Sequence, residues 1–350
     1  MNEVSAKFAQ APAESLTMLP SPYLLFLGDT VDAGFAKTAF GLRDWAGERC
    51  VGEFALPQAS VTTGLKRLTP QQAASIGARS LVIGVANAGG FIPPSWITAL
   101  TRALEAGLDI ISGMHMRLTE VPGLAAAASR LGRRLIDLRV APTDLPTASG
   151  LKRSGKRILT VGTDCALGKK YTALAIARGL IDRGIDATFR ATGQTGIMIA
   201  GTGVPLDAVV IDFAAGAAEL LSPDAAPDHI DVIEGQGSLF HPSYAGVTLA
   251  LLHGSQPDIF VVCHNPNRRH ILGHEEFSLP TIQAVIDQTV TLGRLTNPAI
   301  RCAGVSLNTA GMSAQAAAAT IRDTGNAVDL PAADPMRGGD TFERLLDACM

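Results

Sequence analysis

Apolar runs rich in β-branched residues alternate along the chain with longer segments whose apolar residues recur at helical spacing. In the first half, this pattern predicts strands at 23–30, 79–90, 108–115 and 133–140, and helices at 93–107 and 121–132. Strands that alternate with helices through short connections are typical of a parallel sheet with crossover helices. The first half is therefore expected to form a Rossmann-like α/β domain.

The second half repeats this alternation after a break near residue 150. It predicts strands at 157–163, 185–193, 229–239, 257–266 and 301–309, helices at 171–184, 281–295, 314–325 and 342–350, and a short strand followed by a helix within 205–221. We therefore expect two parallel α/β domains, 1–150 and 151–350, with an irregular arm over residues 1–20.

The segment that joins the two predicted domains, 141–157, combines turn formers with positive charge. Its turn formers are Pro142, Pro146 and Gly150, and its cations are Lys152, Arg153, Lys156 and Arg157. Clustered charges of this kind are usually solvated, so we interpret the segment as a surface linker. The alternative is that some of these cations face an anionic ligand.

Composition excludes several classes of protein. Of the 350 residues 47% are apolar, which excludes a disordered chain, and a net charge of -3 gives no support for a nucleic-acid or polybasic membrane binder. Five scattered cysteines argue against a disulfide framework and fit a reducing cytoplasm. We expect neither a signal peptide nor a membrane span, because the apolar runs are too short.

A glycine loop follows the predicted strand at 157–163 and opens the next helix. It comprises Gly162, Thr163, Asp164, Cys165, Ala166, Leu167, Gly168, Lys169 and Lys170. Through the first lysine it matches G-x-x-x-x-G-K-[ST], in which backbone N–H groups, a helix N-terminus and a lysine surround a phosphate. The second domain is therefore expected to resemble the P-loop NTPases, with this loop binding a cofactor.

The loop departs from the motif at its last position. Lys170 stands where a serine or threonine would hold Mg²⁺, and an ammonium group cannot ligate a metal. Thr172 lies on a different side of the helix and does not substitute. We therefore expect no metal, and a ligand whose diphosphate is a handle rather than a leaving group, such as coenzyme A or a dinucleotide.

Candidate proton-transfer groups follow the predicted strand at 229–239. Glu234 and His241 lie in the run EGQGSLFHPSY, after an apolar strand, where ligands bind in open α/β sheets. Either residue could be a general base, and each could instead be structural. Gln236 and Ser238 in the same run are candidate substrate-binding residues.

Further candidates for substrate binding follow two other strands. Arg190 and Gln194 flank a glycine-containing turn, and Arg268 and Arg269 follow the strand at 257–266; guanidinium groups bind carboxylates bidentately. Five of the seven histidines fall within 241–274, but their spacing matches no zinc motif. Cys165 is either a thiol activated by the helix N-terminus or a packed loop residue.

Three long motifs together resemble the D-glutamate N-acetyltransferase family: GTDCALGKK, RATGQTGIMIAGTGVPLDAVVIDFAAGAAE and EGQGSLFHPSYAGVTLALLHG. The resemblance extends over nearly the whole chain, including the GVANAGG segment of the first half. The loop GTDCALGK and the EGQG turn are also similar to dethiobiotin synthetase. The first family implies transfer of an acetyl group from acetyl-CoA to the amino group of D-glutamate. We expect a homo-oligomer, preferably a dimer.

The resemblance suggests roles for the candidate residues. Loop 162–169 would hold the CoA diphosphate, Glu234 or His241 would be the base, N–H groups of the 235–238 turn would stabilise the oxyanion, and Arg190 with Arg268 or Arg269 would bind carboxylates. An alternative is an ATP-dependent ligase or small-molecule kinase of the dethiobiotin synthetase type, which Lys170 disfavours. A nucleotide-responsive binding protein and an oxidoreductase using the first half are further alternatives.

Overall fold

The computed structural model describes residues 18–87 and 89–350. These residues form two compact units. Of these residues, the N-terminal unit comprises those from Met18 to Ala141 together with Gln194–Ala208, and the C-terminal unit comprises Pro142–Gly193 and Val209–Met350. Most of the arm expected over residues 1–20 lies outside the described residues, and the domain boundary near residue 150 stays a prediction.

The N-terminal unit has a parallel sheet of Rossmann-like type. Its described strands are β1 (Tyr23–Gly28), β2 (Cys50–Ala55), β3 (Ser80–Ile83), β4 (Asp109–Ser112) and β5 (Leu135–Asp137), and its helices are α1 (Lys37–Trp45), α2 (Pro70–Ser75), α3 (Pro94–Glu105) and α4 (Leu124–Leu131). The strand order is β2-β1-β3-β4-β5, and every neighbouring pair is parallel. All six residues of β1 are buried, as expected for a central strand covered on both faces.

The C-terminal unit has a second parallel sheet. Its strands are β6 (Lys156–Gly162), β7 (Ala187–Arg190), β8 (Ile230–Ile233), β9 (Ile259–His264), β12 (Arg301–Leu307) and β13 (Ala332–Ala333), in the order β13-β12-β9-β6-β8-β7. Between β9 and β12, the short strands β10 (His270–Ile271) and β11 (His274–Ser278) form an antiparallel hairpin. The predicted α/β class is confirmed for both halves.

Helices connect the strands of this second sheet. They are α5 (Lys169–Asp182), α7 (Ile211–Leu221), α8 (Ala245–Ser255), α9 (Ile282–Gly293), α10 (Ala314–Val328) and α11 (Asp340–Ala348). The short strand expected within 205–221 is instead a 3-10 turn at Leu206–Ala208. Among the described residues, no helix combines the length and apolar character that a membrane crossing requires.

The sequence analysis placed no helix directly after Gly193, and the structure forms one there. Gln194–Ala200 is a helix, α6, and it belongs to the N-terminal unit, where it packs against α1. Its buried residues include Ile197, Met198 and Ile199. A run of apolar residues behind two glycines therefore forms a helix that is buried by tertiary contacts.

Two arginines of the basic segment around the start of β6 are structural, whereas Lys152 and Lys156 are exposed. Arg157 is 1% exposed, and its guanidinium donates to the main-chain oxygens of Ser222, Pro223 and Ser154. Arg153 donates to the main-chain oxygens of Ser222 and Gly254. Arg153 precedes β6 and Arg157 is its second residue, so both lie at the opposite end of the strand from the glycine loop. They therefore hold the base of the sheet and do not face a ligand in the loop.

Candidate functional site

The candidate site lies at the carboxyl ends of the central strands of the second sheet. β6 pairs with β9 on one side and β8 on the other, with Gly162 opposite Cys263 and Leu159 opposite Ile233. The glycine loop after β6, Glu234 after β8 and His264 at the end of β9 therefore emerge at the same edge. This is where open α/β sheets bind ligands.

The glycine loop is shaped to face an anion. Ala166 and Gly168 have φ angles of 52° and 110°, so the chain turns sharply before α5 begins at Lys169. The Lys169 ammonium is buried and donates to the main-chain oxygen of Asp164 at 2.7 Å. Burial lowers the pKa of Lys169. A buried ammonium next to a helix N-terminus is a favourable partner for a phosphate group.

The Asp164 side chain accepts three hydrogen bonds that fix the conformation of the loop. Its carboxylate is fully buried and accepts from the Cys165 N–H at 2.6 Å, from Arg268 Nη1 at 2.8 Å and from the Leu272 N–H at 2.8 Å. Arg268 also donates to the main-chain oxygen of Cys165 at 2.7 Å. The β10–β11 hairpin is thereby tied to the glycine loop. Arg268, expected to bind a substrate carboxylate, is in this structure paired with Asp164.

Glu234 is a buried carboxylate held by main-chain donors. It is 3% exposed, and Oε2 accepts from the N–H groups of Thr192 and Gly193 at 2.9 and 3.0 Å. Thr192 Oγ1 donates to the Glu234 main-chain oxygen at 2.6 Å. Burial raises the pKa of Glu234, while the charges of Lys170 and Lys169 and the two N–H donors oppose that rise. A carboxyl with a raised pKa at a strand end suits proton transfer.

Gly235 brings the Glu234 turn against β6. Its N–H donates to Thr160 Oγ1 at 2.9 Å, and a Cβ at this position would overlap the main-chain oxygen of Thr160 and lie 3.2 Å from Lys169 Cδ. The first turn of α5 and the turn after β8 are therefore in direct contact. Only glycine allows this close approach.

Gly235→Ala is expected to destabilise the C-terminal unit and displace Glu234, because the Thr160 oxygen is main chain and cannot move aside. The expected loss of unfolding free energy is about 1–3 kcal/mol, as for overpacked sites. Urea unfolding measures it, with Gly246→Ala as the matched control. Gly246 lies in α8, where an added Cβ meets only Ile211 Cδ1 at 3.7 Å. Equal stability of the two variants would contradict the close approach.

His241 is a buried histidine whose tautomer is set by a hydrogen bond from the backbone. It is 2% exposed, and Nδ1 accepts from the Ser243 N–H at 3.1 Å. The hydrogen bond assigns the proton of the neutral ring to Nε2, which lies 3.9 Å from Asp164 Oδ1. Burial lowers the pKa of His241. The ring therefore carries its proton on Nε2, and its Nδ1 lone pair is already engaged by a backbone N–H, which favours Glu234 over His241 as the base.

Asp164, Cys165 and His241 bring possible metal-ligating atoms within 4.8 Å of one another. Two features argue against a metal ion there. Arg268 already neutralises Asp164, and His241 Nδ1 accepts a backbone N–H, so metal binding at Nε2 would require an imidazolate. Burial also raises the pKa of the Cys165 thiol, contrary to the activated thiolate considered from the sequence. That no metal binds stays a prediction.

The other predicted substrate-binding residues have different surroundings. Arg190 Nε donates to the buried Asp231 at 2.6 Å, an ion pair between β7 and β8. Gln194 belongs to the N-terminal unit, where its amide donates to Asp207. Gln236 donates to Thr192 Oγ1 at 3.1 Å, Ser238 is fully buried, and the Arg269 side chain is exposed. The roles predicted for these residues stay predictions.

Sequence reasoning gave no role to two residues of this edge, His264 and Thr192. His264 Nδ1 lies 3.0 Å from Thr163 Oγ1, and Thr192 supports Glu234 through its N–H and its hydroxyl. The position of His264 at the end of a predicted strand was a usable signal, because it follows the same strand-end rule as Glu234.

The chain matches two family models. Residues 146–346 match a domain of unknown function described as the DUF1611_C P-loop domain, and residues 48–141 match the DUF1611_N Rossmann-like domain. A crystal structure of a DUF1611 family protein from Anabaena variabilis superposes with a TM-score of 0.82 at 32% identity, over 94% of this chain and 99% of that chain.

Two curated relatives are named D-glutamate N-acetyltransferase. The protein from Tritonibacter scottomollicae is 49% identical over 95% of this chain and 99% of its own length. The protein from Pseudoalteromonas sp is 44% identical over 91% of this chain and 96% of its own length. The resemblance inferred from the three sequence motifs is confirmed, and the chain belongs to the DUF1611 family, together with these D-glutamate N-acetyltransferases.

Proposed function

We propose that this protein is an N-acetyltransferase that moves an acetyl group from acetyl-CoA to the amino group of D-glutamate. The observation that carries the proposal is the pairing of a phosphate loop that lacks its metal-binding hydroxyl with a buried carboxylate at the next strand end. Acetyl transfer needs a site that binds the diphosphate of the donor and a base that deprotonates the amine. It does not need a phosphate bond to be broken.

The acyl donor is proposed to bind through its diphosphate to loop 162–169. The buried Lys169 ammonium and the N–H groups at the start of α5 supply positive charge and donors to such a group. In the structure Lys169 hydrogen-bonds only a neutral carbonyl oxygen among its described contacts. A bound diphosphate would supply the negative charge that this buried cation favours.

Glu234 is proposed to take a proton from the ammonium group of the amino acid. The free amine then attacks the thioester carbonyl, a C–N bond forms and the C–S bond breaks. The CoA thiolate leaves and takes up the proton that the attacking nitrogen loses as it becomes an amide. The developing oxyanion is proposed to accept hydrogen bonds from N–H groups of the 235–238 turn. Gly237, with a φ of 64°, lets this turn fold tightly against α8.

The carboxylates of an acidic amino acid need cations. Arg190 and Arg268 each have a protein carboxylate as partner, Asp231 and Asp164 respectively. The exposed Arg269 after β9 is therefore the predicted cation that we favour for a substrate carboxylate. The proposal places the reaction in a reducing compartment such as the cytoplasm, because all five cysteines are free. A homodimer stays a prediction.

The test is release of free thiol from acetyl-CoA, with the product identified by mass spectrometry. With D-glutamate we expect one thiol per N-acetyl-D-glutamate formed, and a slower reaction with L-glutamate. The ligase or kinase alternative predicts ADP from ATP instead. No thiol release with any amino acid tried, together with ADP formation, would overturn the proposal.

A further inference from the structure

The phosphate loop of this fold implies a Mg²⁺ ion, and the residues present do not fit one. The position of the metal-binding hydroxyl is occupied by Lys170, which has no lone pair to donate when charged. Thr172, the first serine or threonine of α5, is buried, and its hydroxyl lies 2.7 Å from Ser306 Oγ. The Asp164 carboxylate is neutralised by Arg268. The helix position that holds Mg²⁺ in the complete motif therefore offers it no oxygen ligand.

Lys170 lies in the first turn of α5, and this turn packs against the turn that begins with Glu234. It is the second residue of α5, is partly buried, and its Nζ lies 4.5 Å from the centroid of the Tyr171 ring. The stem of its neighbour Lys169 contacts the Gly235 backbone region, so the first turn of α5 lies against the turn that begins with Glu234. Among the influences that favour the ionised form of Glu234, the charge of Lys170 is the largest.

We propose that the Lys170 ammonium takes the place of the Mg²⁺ ion, as a fixed cation between the bound diphosphate and Glu234. In a complete motif the Ser/Thr hydroxyl holds the metal, and the metal contacts the phosphates. Here the helix position that would hold the metal supplies the positive charge itself. The identity of the diphosphate as that of CoA rests on the proposed function, whereas the replacement of the metal does not.

This arrangement has a chemical consequence. An ammonium group donates hydrogen bonds and adds a single charge, but it does not polarise a phosphoryl oxygen as a Lewis acid does. The loop then binds a diphosphate without preparing it for cleavage. Binding is independent of divalent cations, and Glu234 has a permanent cation nearby that favours its ionised, proton-accepting form.

The test restores the motif. In Lys170→Thr the loop reads G-x-x-x-x-G-K-T, and binding of CoA and of ADP is measured by calorimetry in EDTA and in excess Mg²⁺. For the unaltered protein we expect the same affinity in both conditions. For Lys170→Thr we expect a loss of about tenfold or more in EDTA, equal to about 1.4 kcal/mol, and recovery with Mg²⁺. Lys170→Ala should show the loss without the recovery.

Lys156→Thr is the matched control. Lys156 is exposed at the other end of β6, where it donates to the Met350 main-chain oxygen, and its replacement should change neither affinity nor Mg²⁺ dependence. Mg²⁺-dependent binding to the unaltered protein, or unchanged affinity in both Lys170 variants, would overturn the inference. If the unaltered protein binds ADP but not CoA, the proposed donor is wrong while the replacement of the metal is still tested by the variants.

Discussion

Replacing Glu234 with glutamine is expected to lower kcat for acetyl transfer by about 10²–10⁴-fold, the usual contribution of a general base. Glutamine keeps a carbonyl oxygen that can accept from the Thr192 and Gly193 N–H groups, so the turn should retain its shape. KM for acetyl-CoA should change little, because the diphosphate contacts lie in the glycine loop. Steady-state kinetics with thiol detection measures both constants.

The pH profile gives this prediction a second readout. Burial raises the pKa of Glu234, and the base must be ionised to accept a proton. As the pH falls through that raised pKa, kcat/KM should fall, and this acidic limb should disappear in Glu234→Gln. Burial lowers the pKa of His241, so its ring is neutral at neutral pH.

Two further variants decide whether Glu234 is the base. Glu343→Gln is the matched control, because Glu343 is exposed on α11 and pairs with Arg183. His241→Ala should cost less than Glu234→Gln, since its Nδ1 is occupied by the Ser243 N–H. Rates within about tenfold of the unaltered protein for both Glu234→Gln and His241→Ala would place the base elsewhere.

Replacing Lys169 with methionine is expected to weaken acetyl-CoA binding by about 30-fold to several thousandfold. This range corresponds to about 2–5 kcal/mol, the usual effect of truncating one partner of a buried charge pair. Methionine keeps an apolar stem against Gly235, so the variant tests the charge rather than the packing. Calorimetric titration measures the affinity, and a thermal melt checks that the variant is folded.

Lys156→Met is the control for this charge, since Lys156 is an exposed lysine of β6 at the opposite end from the loop. Its affinity for acetyl-CoA should equal that of the unaltered protein. A folded Lys169→Met variant that binds acetyl-CoA with unchanged affinity would remove the glycine loop from the donor site.

The elements that sequence predicted well are those with an uninterrupted apolar pattern. β1 and β9 are almost wholly buried, so their apolar runs were sufficient to predict them as strands. α3 begins just after Pro93, so its proline marked where the helix starts. β2 was missed because Glu53 interrupts its apolar run. The structure buries Glu53 by giving its carboxylate the Thr62 and Thr63 hydroxyls, which a local pattern cannot reveal.

The position of the candidate site was predictable, but the partners of its charges were not. Glu234 and the glycine loop converge because both follow parallel strands of one sheet. The ion pairs Arg190–Asp231 and Arg268–Asp164 join residues 41 and 104 positions apart. Such pairs depend on strand register and on the placement of the β10–β11 hairpin, neither of which the sequence pattern specifies.

A crystal structure with CoA bound tests most directly whether the glycine loop is the handle for the acyl donor. We predict density for a 3′-phospho-ADP group along residues 162–169, with diphosphate oxygens within hydrogen-bond distance of Lys169 Nζ and of N–H groups at the start of α5. Crystals grown in the presence of EDTA should show CoA bound in the same position. CoA bound with its diphosphate away from this loop would contradict the account.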